Sequence, residues 1–240
     1  MQAGGVGTML ERLKLHETRA RIRADIAAHG LNNWGRIESW DAVRISITPN
    51  LPQFAGRTIA QLAAERGKDS VDTLCDYLIE DKGATRVLVT SISEDDVREL
   101  IRSPKALVGS DGNCVATTGV TSQGMPHPRF YGTFPRVLGR YAHEEKLVPL
   151  ELAIHKMTGA TAQALKLADR GYLREGMRAD VTVFDPADFM DRATYENPHQ
   201  YPSGARTTVI VNGAVVVDAA RHTGALPGKV LRRTAEGVVQ

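Results

Sequence analysis

The sequence predicts an α/β fold whose chain turns to β structure from about residue 169 onward. Three observations carry this expectation. The stretches "TRVLVTS", "SEDDVRELI" and "KALVGSDG" read as strand, helix and strand, the order of a βαβ unit with parallel pairing and a right-handed crossover. Upstream of them, several segments carry apolar residues at helical spacing. After Asp169, "TTVIVNGAVVVDAARHTG" sets two β-branched runs about Asn212-Gly213, a pair that suits both left-handed positions of a type I′ hairpin turn.

Taken in order, residues 8–30 read as helical, with Met9, Leu10 and Leu13 on one face, Ile22 and Ile26 on another, and Gly30 at the stop. "DAVRISIT" alternates Val43, Ile45 and Ile47 and reads as a strand. A proline-bearing loop over 49–56 follows. "RTIAQLAAERG" and "SVDTLCDYLIEDKG" then repeat the helical spacing, the second with Ser70 as N-cap and Cys75 as a small core residue on its apolar face. Ser93 and Asp96 stand in capping-box spacing before the helix of "SEDDVRELI". Residues 112–126 are a glycine- and threonine-rich loop. "PLELAIHKMTG" and "TAQALKL" are helices, the first with Leu152, Ile154 and Met157 inward and His155 on its polar face. Val181 and Val183 alternate in the strand before the hairpin.

Composition narrows the function classes. A hydrophobic fraction of 42% and a charged fraction of 24% over 240 residues suffice for a packed core. A net charge of +2 gives no electrostatic case for nucleic acid or an anionic membrane. No stretch reaches the roughly 18 apolar residues of a membrane span, and the start has no apolar signal region. Cys75 and Cys114 make no disulfide framework, so a reducing, cytoplasmic setting is expected. Gly4, Gly5 and Gly7 lack the preceding strand a phosphate-binding turn needs and read as loop.

No His-x-His, HExxH, paired cysteines, Gly-x-Ser-x-Gly or P-loop is present. The residues that could carry chemistry are Asp111, Cys114, His127, Arg129 and Tyr131, gathered around one strand end and its loop. In parallel α/β folds chemistry collects at carboxyl ends of strands, and Asp111 is placed at such an end. A carboxylate there can bind a divalent metal or take a proton from water; an Asx-turn leaving a strand would also place it there, and the residues alone leave both readings open. Arg129 is a fork suited to a carboxylate, or a surface arginine. Cys114 could be a soft metal ligand. Ser110 has no histidine near it in sequence.

The tail motif "KMTGATAQALKLADRGYLREGMRADVTVFDP" resembles the carboxyl-terminal signature of the amidohydrolase superfamily. "GSDG", "HPRFYGTFPRVLGRY", "DRATYENPHQYPSGARTTVIVNG" and "HTGALPGKVLRR" narrow the resemblance to the N-acyl-D-amino-acid deacylases, the D-aminoacylases. It is sharp from about residue 109 to the end and looser over 4–105. It implies the carboxyl-terminal portion of a TIM (β/α)8 barrel in residues 1–168, with a helical insertion over about 32–94, and a small β-sandwich segment in 169–240. It also implies zinc-dependent hydrolysis of the amide of an N-acyl-D-amino acid. Asp111 matches the acid/base beside the zinc, and is a possible ligand; Arg129 matches the holder of the substrate α-carboxylate; His127 shares the "HPR" motif as a substrate-binding candidate.

Two departures from the family pattern matter. "NCVATTGVTSQGMP" is long between the aspartate and "HPR". The family's His-x-His and other zinc ligands are also absent from this sequence, and a barrel takes about 250 residues, more than precede the tail. Two alternatives follow: a non-catalytic fragment, or half of a split enzyme working with a separate N-terminal half chain. A cyclic-amide amidohydrolase, hydantoinase- or dihydroorotase-like, is a further alternative, against which "ENPHQYP" and "HPRFYGTFPR" argue.

Overall fold

A computed structural model describes residues 3–31, 37 and 39–232. The opening of the expected helical insertion, at 32–36, and the last arginine of "HTGALPGKVLRR" lie outside them. The fold is α/β and divides into two compact units, interleaved along the chain. One comprises Met1–Ser93, Val115–His127 and Thr194–His199; the other comprises Glu94–Cys114, Pro128–Ala193 and Gln200–Gln240.

In the first unit, helices α1 (Gly5–Leu13) and α2 (His16–His29) replace the single expected helix. The chain breaks at Leu15, whose backbone is extended, and α2 ends at Gly30 with φ +83°. Strand β1 (Val43–Ile47) is followed by α3 (Ile59–Arg66), which opens on a full capping box between Thr58 and Gln61. Helix α4 (Ser70–Glu80) is capped by Asp69, not by Ser70 as the sequence suggests. The Asp69 carboxylate accepts from the N–H of Val71 at 3.0 Å and of Asp72 at 3.2 Å, a stronger acceptor than a hydroxyl at the positive helix end. Strand β2 (Arg86–Val89) pairs antiparallel with β1.

Two apolar clusters hold this unit. Ile45, Ile59, Leu62 and Tyr77 join β1, α3 and α4. Leu13, Val71 and Cys75 join α1 to α4, with Ile22 and Ile26 of α2 packed on them. Cys75 is therefore the core residue its spacing predicts. Helix α2 buries no residue of its own fully, and its polar face is pinned by ions. Arg19 reaches Asp72 at 3.1 Å and Asp76 at 2.7 Å, and Arg23 reaches Asp69 at 2.8 Å.

The second unit begins with α5 (Glu94–Arg102). The expected parallel βαβ unit does not form. The two sheets among the described residues are antiparallel, and neither contains any residue of 106–110. Those residues need a neighbouring backbone to make a ladder, and none of the described strands supplies one. Val108 instead packs against the apolar cluster of Val137, Leu138, Tyr141, Ala142, Val148 and Ala153. Helix α6 (Arg129–Arg136) runs into a π-helical segment, Val137–Glu144. Pro135 inside α6 lacks the N–H that would bond back one turn, which favours the change of helical pitch just after it. Helices α7 (Leu150–Met157) and α8 (Gly159–Leu165) follow, with Leu152, Ile154 and Met157 against the core and His155 exposed. The tail is a four-stranded antiparallel sheet of β3 (Val181–Val183), β4 (Thr208–Val211), β5 (Ala214–Asp218) and β6 (Arg221–His222). Asn212 at φ +47° and Gly213 at φ +83° form the predicted hairpin turn.

The ion pairs under α2 make a pH prediction. The hydrogen bond from Arg23 holds the Asp69 carboxyl well below the ordinary carboxylate range. A depressed folded-state value contributes stability that is complete above the unfolded value of about 4 and is lost as pH falls toward the folded one. The urea midpoint followed by tryptophan fluorescence should hold steady from about pH 7 to 5 and fall below about 4. In Asp69→Asn the acid fall should be shallower; an unchanged slope would refute the assignment.

Candidate functional site

Asp111 follows the stretch 106–110, which joins neither sheet, with a left-handed backbone, φ +46°. Aspartate tolerates that region better than most residues because its short side chain bonds locally. The turn is tight. The N–H of Gly112 donates to Ser110 Oγ at 3.2 Å, and a Cβ on Gly112 would lie 3.2 Å from Phe130 Cα. Ser110 is thus engaged in the turn rather than aligned as a nucleophile.

Arg129 stands at the first position of α6 and clasps Asp111 twice. Its Nη2 lies 2.7 Å from Asp111 Oδ2, and its Nε donates to the Asp111 carbonyl at 3.1 Å. A cation at a helix N-terminus opposes the helix dipole, and the Asp111 carboxylate offsets it. The Asp111 side chain is 87% exposed, so it faces solvent while held. The guanidinium also lies 5.9 Å from the Phe130 ring.

The far end of α6 is fixed by charge. Arg136 reaches Asp191 at 2.9 Å and Glu94 at 3.2 Å, and Gly132 leaves room for the Asp191 side chain, which an added Cβ would meet at 2.8 Å. Burial pushes the Glu94 carboxyl up, but hydrogen bonds from Tyr141 and Arg136 outweigh it and keep it below its usual range. Tyr131 is buried, with its ring edge-on to Tyr201 at 6.1 Å, and burial pushes its phenol up. Lys156, 3% exposed, donates to the carbonyls of Ile101 and Ser103 at the end of α5, just before the stretch that leads to Asp111.

His127 belongs to the first unit. Its Nε2 lies 3.0 Å from the Tyr195 hydroxyl. The structure thus brings Asp111 and Arg129 together and gives His127 a separate partner that no local sequence signal links to it. Cys114 is exposed. Among the described residues no three histidine, cysteine or acidic side chains lie close enough to hold a metal ion, and none of the helices is long and apolar enough to cross a membrane.

A family model described as "Amidohydrolase family" matches residues 16–217. The chain belongs to the amidohydrolase family. It is 42% identical over 184 residues to a D-aminoacylase of Alcaligenes xylosoxydans xylosoxydans, covering 77% of this chain and 35% of that protein. The crystal structure of a D-aminoacylase, described as defining a novel subset of amidohydrolases, superimposes with a TM-score of 0.66 at 33% identity, covering 89% of this chain and 45% of that one. The N-acyl-D-glutamate deacylase of Bordetella bronchiseptica, complexed with zinc and a phosphonate mimic of the tetrahedral intermediate, superimposes with a TM-score of 0.63 at 35% identity, covering 77% of this chain and 37% of that one. The chain therefore spans between 35% and 45% of the length of these amidohydrolase relatives. That deacylase holds zinc; the described residues here do not by themselves fit a zinc ion.

The left-handed turn sets what Asp111 can become. Asp111→Asn should leave urea stability within about 0.5 kcal/mol, as is usual at exposed positions. Asp111→Val should cost about 1–2 kcal/mol, because a β-branched residue resists that backbone region. Equal losses in the two variants would show that the backbone there is not held left-handed.

Proposed function

We propose that this chain is the carboxyl-terminal part of an N-acyl-D-amino-acid deacylase. In this reading residues 1–168 form part of a TIM barrel carrying a helical insertion over about 32–94, and 169–240 form a β-sandwich segment. The observation that carries the reading is the Asp111–Arg129 pair, set within motifs similar to D-aminoacylases. One acid and one cationic fork at a single turn suit a substrate that presents an amide next to a carboxylate.

Asp111 is the acid/base. It takes a proton from the attacking water and returns it to the leaving nitrogen as the amide C–N bond breaks, giving a carboxylate and a free D-amino acid. Arg129 binds the substrate α-carboxylate, which meets the same fork that Asp111 occupies here. His127, two residues earlier in sequence, is assigned to substrate binding on the "HPR" motif it shares with Arg129. Zinc is the expected cofactor. Because the described residues hold no set of three ligands, its ligands are assigned to sequence outside this stretch, in a longer chain or in a separate amino-terminal half, and no step is routed through it. The partial coverage of the relatives supports the same division.

Two outcomes follow. The purified 240-residue chain, supplied with zinc, should not turn over N-acetyl-D-amino acids; robust turnover abolished by Asp111→Asn would overturn the assignment of ligands elsewhere. In a protein that carries the metal ligands, Arg129→Ala should raise KM by about 10- to 150-fold, the equivalent of about 1.5–3 kcal/mol for a hydrogen bond between charged groups. An unchanged KM would remove the carboxylate role.

A further inference from the structure

We infer that Tyr195 is a positioning residue that holds His127 as its Nδ1–H tautomer. The inference rests on the reading of His127 as a substrate-side residue and adds the group that orients it. Tyr195 sits in a closed turn. The Thr194 N–H donates to the Asn197 carbonyl at 3.1 Å, and the Asn197 N–H returns to Thr194 Oγ1 at 3.0 Å. Pro198 next to it is fully buried, which anchors the turn within the first unit. The two residues at the tip, Tyr195 and Glu196, are thereby presented outward together.

Each tip residue has a defined contact. The Tyr195 hydroxyl lies 3.0 Å from His127 Nε2, and the two rings meet edge to face with centroids 5.2 Å apart. Two contacts of different kinds therefore fix both the tilt of the imidazole and the nitrogen that faces the phenol. The Glu196 carboxylate lies 3.8 Å from Arg44 Nη2, and the Arg44 guanidinium stands 6.0 Å from the centroid of the Tyr195 ring. Arg44 is itself fixed on β1, where its Nη1 donates to the Gly56 carbonyl at 2.7 Å.

This arrangement sets the direction of the hydrogen bond. A guanidinium at the ring face draws electron density from the phenol and makes its O–H a better donor. The phenol then donates to Nε2, and the ring proton of neutral His127 resides on Nδ1. The same strand also holds the chain just before His127. The Met125 N–H donates to the Ser46 carbonyl at 2.7 Å, and Ser46 Oγ donates to the Met125 carbonyl at 2.9 Å. Gly124, at φ +67°, permits that contact, since an added Cβ would lie 2.3 Å from the Ser46 carbonyl oxygen. Strand β1 thus holds both Met125 and, through Arg44 and Tyr195, His127.

The test is nitrogen NMR on the 240-residue chain labelled at histidine, at a pH about two units above the ordinary histidine value of about 6.5 so that the imidazole is neutral. The expected spectrum shows His127 with a bare Nε2 and a protonated Nδ1, and Tyr195→Phe should shift the population toward the Nε2–H form. A protonated Nε2 in the unaltered chain would overturn the inference, as would a Tyr195→Phe spectrum with an unchanged tautomer. The first measurement needs no variant, so a folding defect in Tyr195→Phe leaves it decisive. Neither measurement depends on turnover, so failure of the deacylase reading and failure of the Tyr195 assignment are read separately.

Discussion

The Arg129 guanidinium closes on Asp111 at two points, the carboxylate and the backbone carbonyl, and the geometry of the candidate site follows from that double contact. A single ion pair at an exposed carboxylate contributes little, on the order of 0–1 kcal/mol. The second contact matters because it addresses the backbone, fixing a left-handed residue whose conformation aims the carboxylate outward. The clasp also reconciles two locally unfavourable choices, a positive φ on a non-glycine residue and a cation at the start of a helix.

The surrounding structure holds the two halves of that clasp from their far ends. Helix α6 carries Arg129 at its first turn and is fixed at its last turn by Arg136 between Glu94 and Asp191. The chain entering Asp111 leaves α5 through carbonyls tied down by the buried ammonium of Lys156, whose charged form burial disfavours. Along the way Val108 packs against the core. Asp111 and Arg129 are thus placed by packing and ion pairs several residues away, the kind of support that the proposed acid and carboxylate-binding roles call for.

Local chemistry made the helices and the hairpin legible in the sequence. The Thr58–Gln61 capping box, the apolar spacing of Ile59, Leu62 and Ala63, and Asn212-Gly213 each determine structure within a few residues. The failures are equally physical. "ALVGSDG" has strand composition, but a strand exists only where a neighbouring backbone completes its hydrogen bonds, which no local pattern encodes. Asp69 displaced Ser70 as a cap because a carboxylate one residue earlier reaches two N–H groups at once. At the site, the motifs singled out Asp111, Arg129 and His127. That Arg129 closes on Asp111, and that Tyr195 meets His127 from 68 positions away, are contacts made by the fold and carry no sequence signature.

The proposed reading makes Asp111 and Arg129 one part of an amidohydrolase centre whose metal ligands lie elsewhere, since the described residues offer no set of three. The most direct test is the zinc content of the purified 240-residue chain after exposure to zinc and dialysis, measured by elemental analysis. With the ligands located elsewhere, retained zinc should fall well below one ion per chain and be the same in Asp111→Asn. One tightly held zinc per chain, lost in Asp111→Asn, would contradict that division of the site.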